Sequence, residues 1–230
     1  MTRLFHADAL ARQHDTGAAR TRFATDGYLP LPGLLTEHGL AALRAESRAL
    51  ERRARRRDFA MACMDGSPRR MTTLGGHVIA RESRLIPRLY ADRELLALVE
   101  AVVGEKPNAV PEALERHVLN ILHRQDDTHG AHTDDYPYAL VVFLEAPQDP
   151  ADGGLVEFAP HTAALTATTG TGTRTAHHAP GDAYLLRSDT TAHRVTPLTR
   201  SGVRRTVVNF AYARPDAEVR ATPSAHELYG

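Results

Sequence analysis

Short β-rich stretches separated by turn residues are the feature that most restricts the fold of this chain. Strand-type residues concentrate in five stretches of the second half, at 118–122, 138–144, 155–158, 184–186 and 206–212. Each is too short for an isolated helix, and turn signals such as Gly153-Gly154 and Pro180-Gly181 come before strands. Short strands at this spacing predict a β-sandwich or a β-barrel.

The first half has helical patterns instead. Thr36 is a suitable N-cap for a helix over residues 37–58, and a second helical run over 83–103 ends at Gly104. Between them, residues 59–80 contain several glycines and a proline and are predicted to be irregular.

Composition limits the class of protein. Apolar residues make up 42% and charged residues 24% of the 230, and the formal net charge is zero. These values predict a globular protein without the net positive charge that binding to nucleic acids or anionic membranes favours. No apolar run is long enough to span a membrane, no secretory signal is recognisable, and Cys63 is the only cysteine, so we expect a cytoplasmic protein without disulfides. The sequence leaves its oligomeric state open, and the basic run 52–57 is interpreted as a solvated helix face.

The tripeptide His132-Thr133-Asp134 is the strongest candidate for a metal site. In a β-strand, residues i and i+2 point to the same face, so His132 and Asp134 would project together. A second histidine from a neighbouring strand, His193, would complete two imidazoles and one carboxylate. Such a set occupies one face of an octahedral metal and is typical of non-haem Fe(II) oxygenases.

The order of the motifs extends this interpretation. After His132-Thr133-Asp134 come a strand opened by Gly153-Gly154, a strand opened by Gly181-Asp182, and the segment 193–197, His-Arg-Val-Thr-Pro, with Arg204-Arg205 about ten residues on. This order closely resembles the Fe(II)/2-oxoglutarate-dependent oxygenases. The resemblance implies a mainly β fold with N-terminal helices, the double-stranded β-helix or cupin-like jelly roll. We expect one domain over 1–230, with mostly helical support in 1–114, the jelly-roll core in 115–213 and a tail, 214–230, that closes the site.

The resemblance also implies cofactors. The triad would hold Fe(II), with 2-oxoglutarate and O2 as co-substrates and ascorbate as an activator in vitro. The far carboxylate of 2-oxoglutarate needs a fixed cation, and an arginine can bind it bidentately. If Asn209 points inward on the last strand, Arg205 does too and Arg204 faces out, unless a bulge intervenes.

Asp134 bears on the reaction. In this superfamily, halogenases replace the metal-binding carboxylate by glycine or alanine, which opens a position for chloride. Because this chain keeps the carboxylate, the resemblance favours hydroxylation, which would release succinate and CO2.

The substrate expectation comes from the small bacterial branch that acts on free amino acids and includes lysine halogenases and related hydroxylases. By position, the resemblance implies that Glu115 and Asp135 hold a cationic side chain. The head group would be held by Arg70, Asn209 and the aromatic Tyr229, and His129 is a further substrate-binding position by its spacing from His132. Ala211 and Tyr229 depart from that branch, which tends to have a hydroxyl-bearing residue and an indole at these positions.

Two other interpretations remain open. The substrate could be an amino acid on a carrier protein or a natural-product intermediate, with 52–57 as a docking patch. Alternatively, the chain could be a cupin-like metal-binding or sensor protein without turnover, in which neither Arg204 nor Arg205 meets 2-oxoglutarate.

Overall fold

An antiparallel, curled sheet forms most of the molecule, and six helices accompany it in the described part of the chain. The computed structural model describes residues 3–6, 16–215 and 222–230. Part of the predicted C-terminal tail, residues 216–221, lies outside the described residues. Together, the curled sheet and the few helices confirm the predicted jelly roll.

Twelve strands make up the sheet. They are β1 Tyr28–Leu31, β2 Arg55–Met61, β3 Ser67–Leu74, β4 Asn108–Ala109, β5 His117–Leu122, β6 Thr128–His132, β7 Tyr138–Glu145, β8 Val156–Ala159, β9 Arg174–Ala176, β10 Ala183–Arg187, β11 Ala192–Val195 and β12 Arg205–Ala213. Their order is β1-β10-β7-β12-β5-β3-β6-β11-β8-β9, with β2 beside β3 and β4 beside β12. The five strands expected in the second half are all present, as β5, β7, β8, β10 and β12.

The helices are α1 Thr16–Asp26, α2 Glu37–Glu51, α3 Gly76–Glu82, α4 Leu85–Tyr90, α5 Arg93–Val103 and α6 Pro223–Tyr229. Thr36 caps α2 as predicted, because its hydroxyl accepts a hydrogen bond of 3.0 Å from the amide of Gly39. Gly104 ends α5 in the left-handed conformation that favours glycine, with φ of 84°. No helix in the described ranges is long and apolar enough to cross a membrane.

Alternation along the strands separates two cores. On β7, Val142 packs outward against the helices, whereas Val141 and Phe143 face the interior of the curled sheet. The outer core also includes Leu43 and Leu98 from the helices. Burial on both faces therefore holds β7 between the helical layer and the interior.

A hairpin replaces part of the predicted helix and loop. The helix expected over 37–58 ends at Glu51, and β2 and β3 pair antiparallel from Arg55↔Thr73 to Met61↔Ser67. The interpretation of 52–57 as a helix face is therefore wrong: Arg55 is exposed on a strand, and Arg56 lies 2.7 Å from the buried Asp127. Because β3 lies between β5 and β6, the sheet also extends beyond the expected core of 115–213.

Candidate active site

Two paired strands bring the predicted metal ligands together. His132 ends β6, and His193 on β11 is its direct partner in the ladder. Asp134 follows β6, where its amide donates a 2.9 Å hydrogen bond to the carbonyl of Ser188. One ligand atom from each of the three side chains lies within 4.8 Å of the others, so the group could hold a metal ion.

Backbone contacts fix both imidazoles for metal binding. Nδ1 of His132 lies 2.8 Å from the carbonyl oxygen of Gly130, and Nδ1 of His193 lies 3.0 Å from that of Thr191. A carbonyl only accepts, so Nδ1 carries the proton and Nε2 keeps its lone pair. The two Nε2 atoms lie 3.7 and 4.0 Å from Oδ1 of Asp134. Burial lowers the pKa of His132 well below its usual value, which keeps the ring neutral.

Close contacts with neighbouring segments explain why glycine stands at positions 153 and 154. A Cβ on Gly153 would lie 1.9 Å from the carbonyl oxygen of Pro197, and one on Gly154 would lie 3.3 Å from Cδ of Arg205. Both glycines have positive φ values, 80° and 72°. The close approach of this turn to the segment after His193 therefore requires glycine.

Arg205 is a buried cation inside the curled sheet. Its exposed fraction is 2%, and its guanidinium carbon lies 4.9 Å from the ring centre of Phe143. Nε and one terminal nitrogen have no hydrogen-bond partner among the described residues. A buried guanidinium with unpaired donors fits an anionic ligand such as a carboxylate.

Arg204 points the other way, as the parity argument predicts. Its guanidinium lies 2.9 Å from Glu51 and 3.1 Å from Glu145 on the outer face of the sheet. The register between β12 and β7 does shift, between Thr206 and Val207. The extra residue is Leu144 on β7, so the alternation along β12 is preserved.

A small cavity lies beside the metal ligands. Its volume is about 40 Å³, and its lining includes four of the predicted substrate residues, Glu115, His129, Asp135 and Tyr229. His129 is buried and stacks on His132 with 3.9 Å between ring centres. Asn209 has a buried amide oxygen without a partner among the described residues, but it does not line this cavity.

Arg70 does not occupy the position expected for it. It is exposed on β3, 3.8 Å from Asp58 on the neighbouring strand. Its neighbour Arg69 takes the inward position, is 1% exposed and lines the cavity. Alternation along β3 could have separated the two, but glycine and proline nearby indicated an irregular loop. The sequence argument also missed Met61, Met64, Ala225 and Leu228, which line the cavity, and nothing in their local sequence marks them.

Carboxyl groups dominate one side of this cavity. Glu115 interacts with Asp135, and burial, followed by the charges of Asp135 and Asp134, raises the pKa of Glu115 to about 8. Glu115 Oε2 is buried without a hydrogen-bond partner, and neither Glu115 nor Asp135 has an ion-pair partner within the described ranges. On the other side, burial lowers the pKa of Arg69 to about 10, so this arginine stays charged at neutral pH.

Solved structures with the same fold include two that were solved with a metal and 2-oxoglutarate. SnoN, an epimerase solved with Fe3+, α-ketoglutarate (2-oxoglutarate) and nogalamycin RO, is 19% identical over 92% of this chain and 88% of its own, with a TM-score of 0.70. HygX of Streptomyces hygroscopicus, with nickel and 2-oxoglutarate, is 17% identical over 92% of this chain and 94% of its own, with a TM-score of 0.64. A prolyl-4-hydroxylase of Pseudomonas putida is 15% identical over 87% of this chain and 99% of its own, with a TM-score of 0.58.

The comparison with curated protein sequences gave no match. A family model does match: the model described as Halogenase D (HalD) covers residues 11–229. This span includes the metal-ligand group, Arg204, Arg205 and the helix α6. The chain therefore belongs to the Halogenase D family.

Proposed function

We propose that the chain is a non-haem Fe(II)/2-oxoglutarate-dependent dioxygenase that hydroxylates a free L-amino acid with a cationic side chain, such as lysine, ornithine or arginine. The observation that carries this proposal is the pair Glu115 and Asp135, two carboxyl groups that line the cavity beside the metal ligands and have no ion-pair partner among the described residues. Asp135 is exposed and Glu115 is half-buried, and neither carboxyl group is paired with a cation in the described ranges, so a ligand that supplies positive charge fits this cavity best.

The chain's residues fit the iron and the co-substrate. His132, Asp134 and His193 would hold the metal, because both Nε2 atoms face the Asp134 carboxylate. Arg205 would hold the far carboxylate of 2-oxoglutarate, since its unpaired donors lie in an otherwise apolar interior. Bound iron would activate O2, the oxidant, and one oxygen atom would enter the C–H bond of the substrate while the other enters succinate as 2-oxoglutarate loses CO2.

Asp134 supports hydroxylation despite the family's name. Its carboxylate completes the group of possible metal ligands, so the position that chloride takes in a halogenase is not vacated by a glycine or alanine here. The presence of this carboxylate is the observation that favours hydroxylation over halogenation.

The charge of the cavity supports a cationic amino acid. Arg69 would bind the α-carboxylate, with His129 and the Tyr229 hydroxyl lining the same cavity. Asn120 donates a 3.4 Å hydrogen bond to that hydroxyl. Glu115 and Asp135 would bind the ammonium or guanidinium group of the side chain, and a positive charge beside Glu115 would favour its ionised form. The acidic side of the cavity and Arg69 thus complement a substrate such as lysine.

A carrier-bound substrate is less well supported. It would require an accessible basic docking patch. Two of the arginines in the supposed docking patch, Arg55 and Arg57, already donate hydrogen bonds to the main-chain oxygen of Gly230. A binding protein without turnover is also disfavoured, because the buried Arg205 would then lack an anion.

The test is aerobic incubation with Fe(II), ascorbate, 2-oxoglutarate and a pool of free L-amino acids, with and without chloride, analysed by mass spectrometry. We expect one added oxygen on a cationic amino acid and no chlorinated product. Oxygen on a neutral amino acid instead would refute the roles of Glu115 and Asp135, and replacement of hydrogen by chlorine would refute the role of Asp134. Absence of succinate under all conditions would exclude the dioxygenase.

A further inference from the structure

Helix α6 covers the cavity beside the metal ligands. Ser224, Ala225, Leu228 and Tyr229, all from this seven-residue helix, line the cavity. The cavity is partly open to solvent, so the lining that α6 contributes borders the space an amino acid would enter. The contacts that hold α6 in place therefore bear on substrate entry.

The end of α6 near Gly230 is fastened to the hairpin β2–β3. Thr73 on β3 donates a 2.6 Å hydrogen bond to the carbonyl of Leu228. Arg57 and Arg55 on β2 donate to the main-chain oxygen of Gly230 at 2.9 and 3.2 Å. These donors all lie on strands, so this end of the helix is held independently of the polar groups in the cavity.

The other end of α6 is held by Asp135 itself. The hydroxyl of Thr222 donates to Oδ2 of Asp135 at 2.5 Å and accepts from the amide of Ala225 at 3.3 Å, as an N-cap does. The hydroxyl of Ser224 donates to the same oxygen at 3.2 Å. Both hydroxyls use Oδ2, so the Asp135 carboxylate joins the cavity to the first turn of the helix.

We propose that Thr222 is a positioning residue that fastens α6 to Asp135. The carboxylate that binds the substrate cation then also holds α6 over the cavity. Binding of a cationic substrate stabilises α6 in this position, whereas binding of a neutral substrate does not. The part concerning the substrate rests on the proposed function, whereas the fastening of α6 does not.

A double-mutant cycle separates this role from ordinary helix capping. The variants are Thr222→Val, which removes the hydroxyl at nearly constant size, Asp135→Ala, and the two combined, with Thr222→Ser as the control that keeps the hydroxyl. The readout is amide hydrogen exchange in residues 223–230, measured on the full chain loaded anaerobically with Fe(II) and 2-oxoglutarate. Exchange reports how often α6 opens and requires no turnover.

We expect Thr222→Val to speed the exchange of α6 by about 2- to 30-fold, the range measured for loss of an N-cap. In the Asp135→Ala background the same substitution should have a clearly smaller effect, because the hydroxyl then has no carboxylate to bind. Thr222→Ser should remain within about twofold of the unmodified protein. Equal effects of Thr222→Val in both backgrounds would reduce Thr222 to a simple N-cap and overturn the proposal.

The second arm adds L-lysine, or L-norleucine as the analogue without the side-chain ammonium. L-Lysine should slow the exchange of α6 in the unmodified protein, L-norleucine should not, and the KM for L-lysine should rise in Thr222→Val more than kcat falls. If L-lysine is hydroxylated but leaves the exchange unchanged, the link between substrate and cover is wrong. If no cationic amino acid is hydroxylated while the cycle is non-additive, the proposed function fails and the fastening by Thr222 stands.

Discussion

Replacement of Glu115 by glutamine should make the metal-free protein more stable as the pH rises. Glu115 lies against Asp135 in the cavity, and its pKa in the folded protein is about 8, compared with 4.5 for an ordinary glutamate. Between these two pH values the folded protein keeps a proton that the unfolded chain has lost. Stability therefore falls as the pH rises from about 4.5 to about 8, and glutamine, which cannot ionise, removes this loss.

The size of the effect follows from the same two values. At about 1.4 kcal/mol per pH unit, ionised Glu115 would lower the free energy of unfolding by at most roughly 5 kcal/mol. The side chain is only partly buried, so solvent relieves part of this cost, and we expect a difference of roughly 2 kcal/mol at pH 8. For a chain of this length, this corresponds to about 4–8 °C in Tm.

The assay compares thermal unfolding of the metal-free protein, Glu115→Gln and Glu100→Gln at pH 5 and pH 8. Glu100 is exposed on α5, so its replacement should leave the pH dependence unchanged. The advantage of Glu115→Gln should be near zero at pH 5 and largest at pH 8. An equal difference between this variant and the unmodified protein at both pH values would refute the reasoning, because it would show that Glu115 ionises alike in the folded and unfolded states.

Three further predictions test the site. His193→Ala should lower Fe(II) affinity by more than roughly 100-fold and abolish succinate formation, as measured by metal titration and turnover; retention of both would remove this residue from the metal ligands. Arg205→Lys should raise the Kd of 2-oxoglutarate by about 10- to 100-fold, whereas Arg204→Lys, on the outer face, should change it by less than about threefold; equal losses would contradict the assignment. Asp135→Asn should raise the KM for L-lysine by at least about tenfold and that for L-norleucine far less, and similar increases would argue against a cation-binding carboxylate.

The barrel strands were predictable because their alternation is local. Val141, Val142 and Phe143 alternate between two apolar environments, and each position is filled by a residue that suits it. Parity along β12 distinguished Arg205 from Arg204 for the same reason, since the bulge that could have reversed it lies on β7. The H-x-D spacing follows this rule only in part, because His132 ends β6 whereas Asp134 lies beyond the strand, where its amide donates a hydrogen bond to Ser188.

The hairpin β2–β3 was not predictable in this way. Its sequence is arginine-rich and contains Gly66 and Pro68, and its strand conformation depends on pairing with β5 and β6, which lie far away along the chain. Because the sequence argument does not predict this hairpin, it assigns the inward position to Arg70, whereas the structure has Arg69 there. The contact between Thr222 and Asp135 joins residues 87 positions apart and leaves no mark in the local sequence.

The central place of β3 limits how this protein can be divided. The recognisable oxygenase motifs all lie within 115–213, yet β5 and β6 share β3 as their common neighbour. A chimera that transplants only the motif-bearing span would leave two open strand edges inside the barrel and would lose Arg69 as well. A chimera between two family members can therefore carry over substrate specificity only if it transfers residues 55–74 together with the metal ligands.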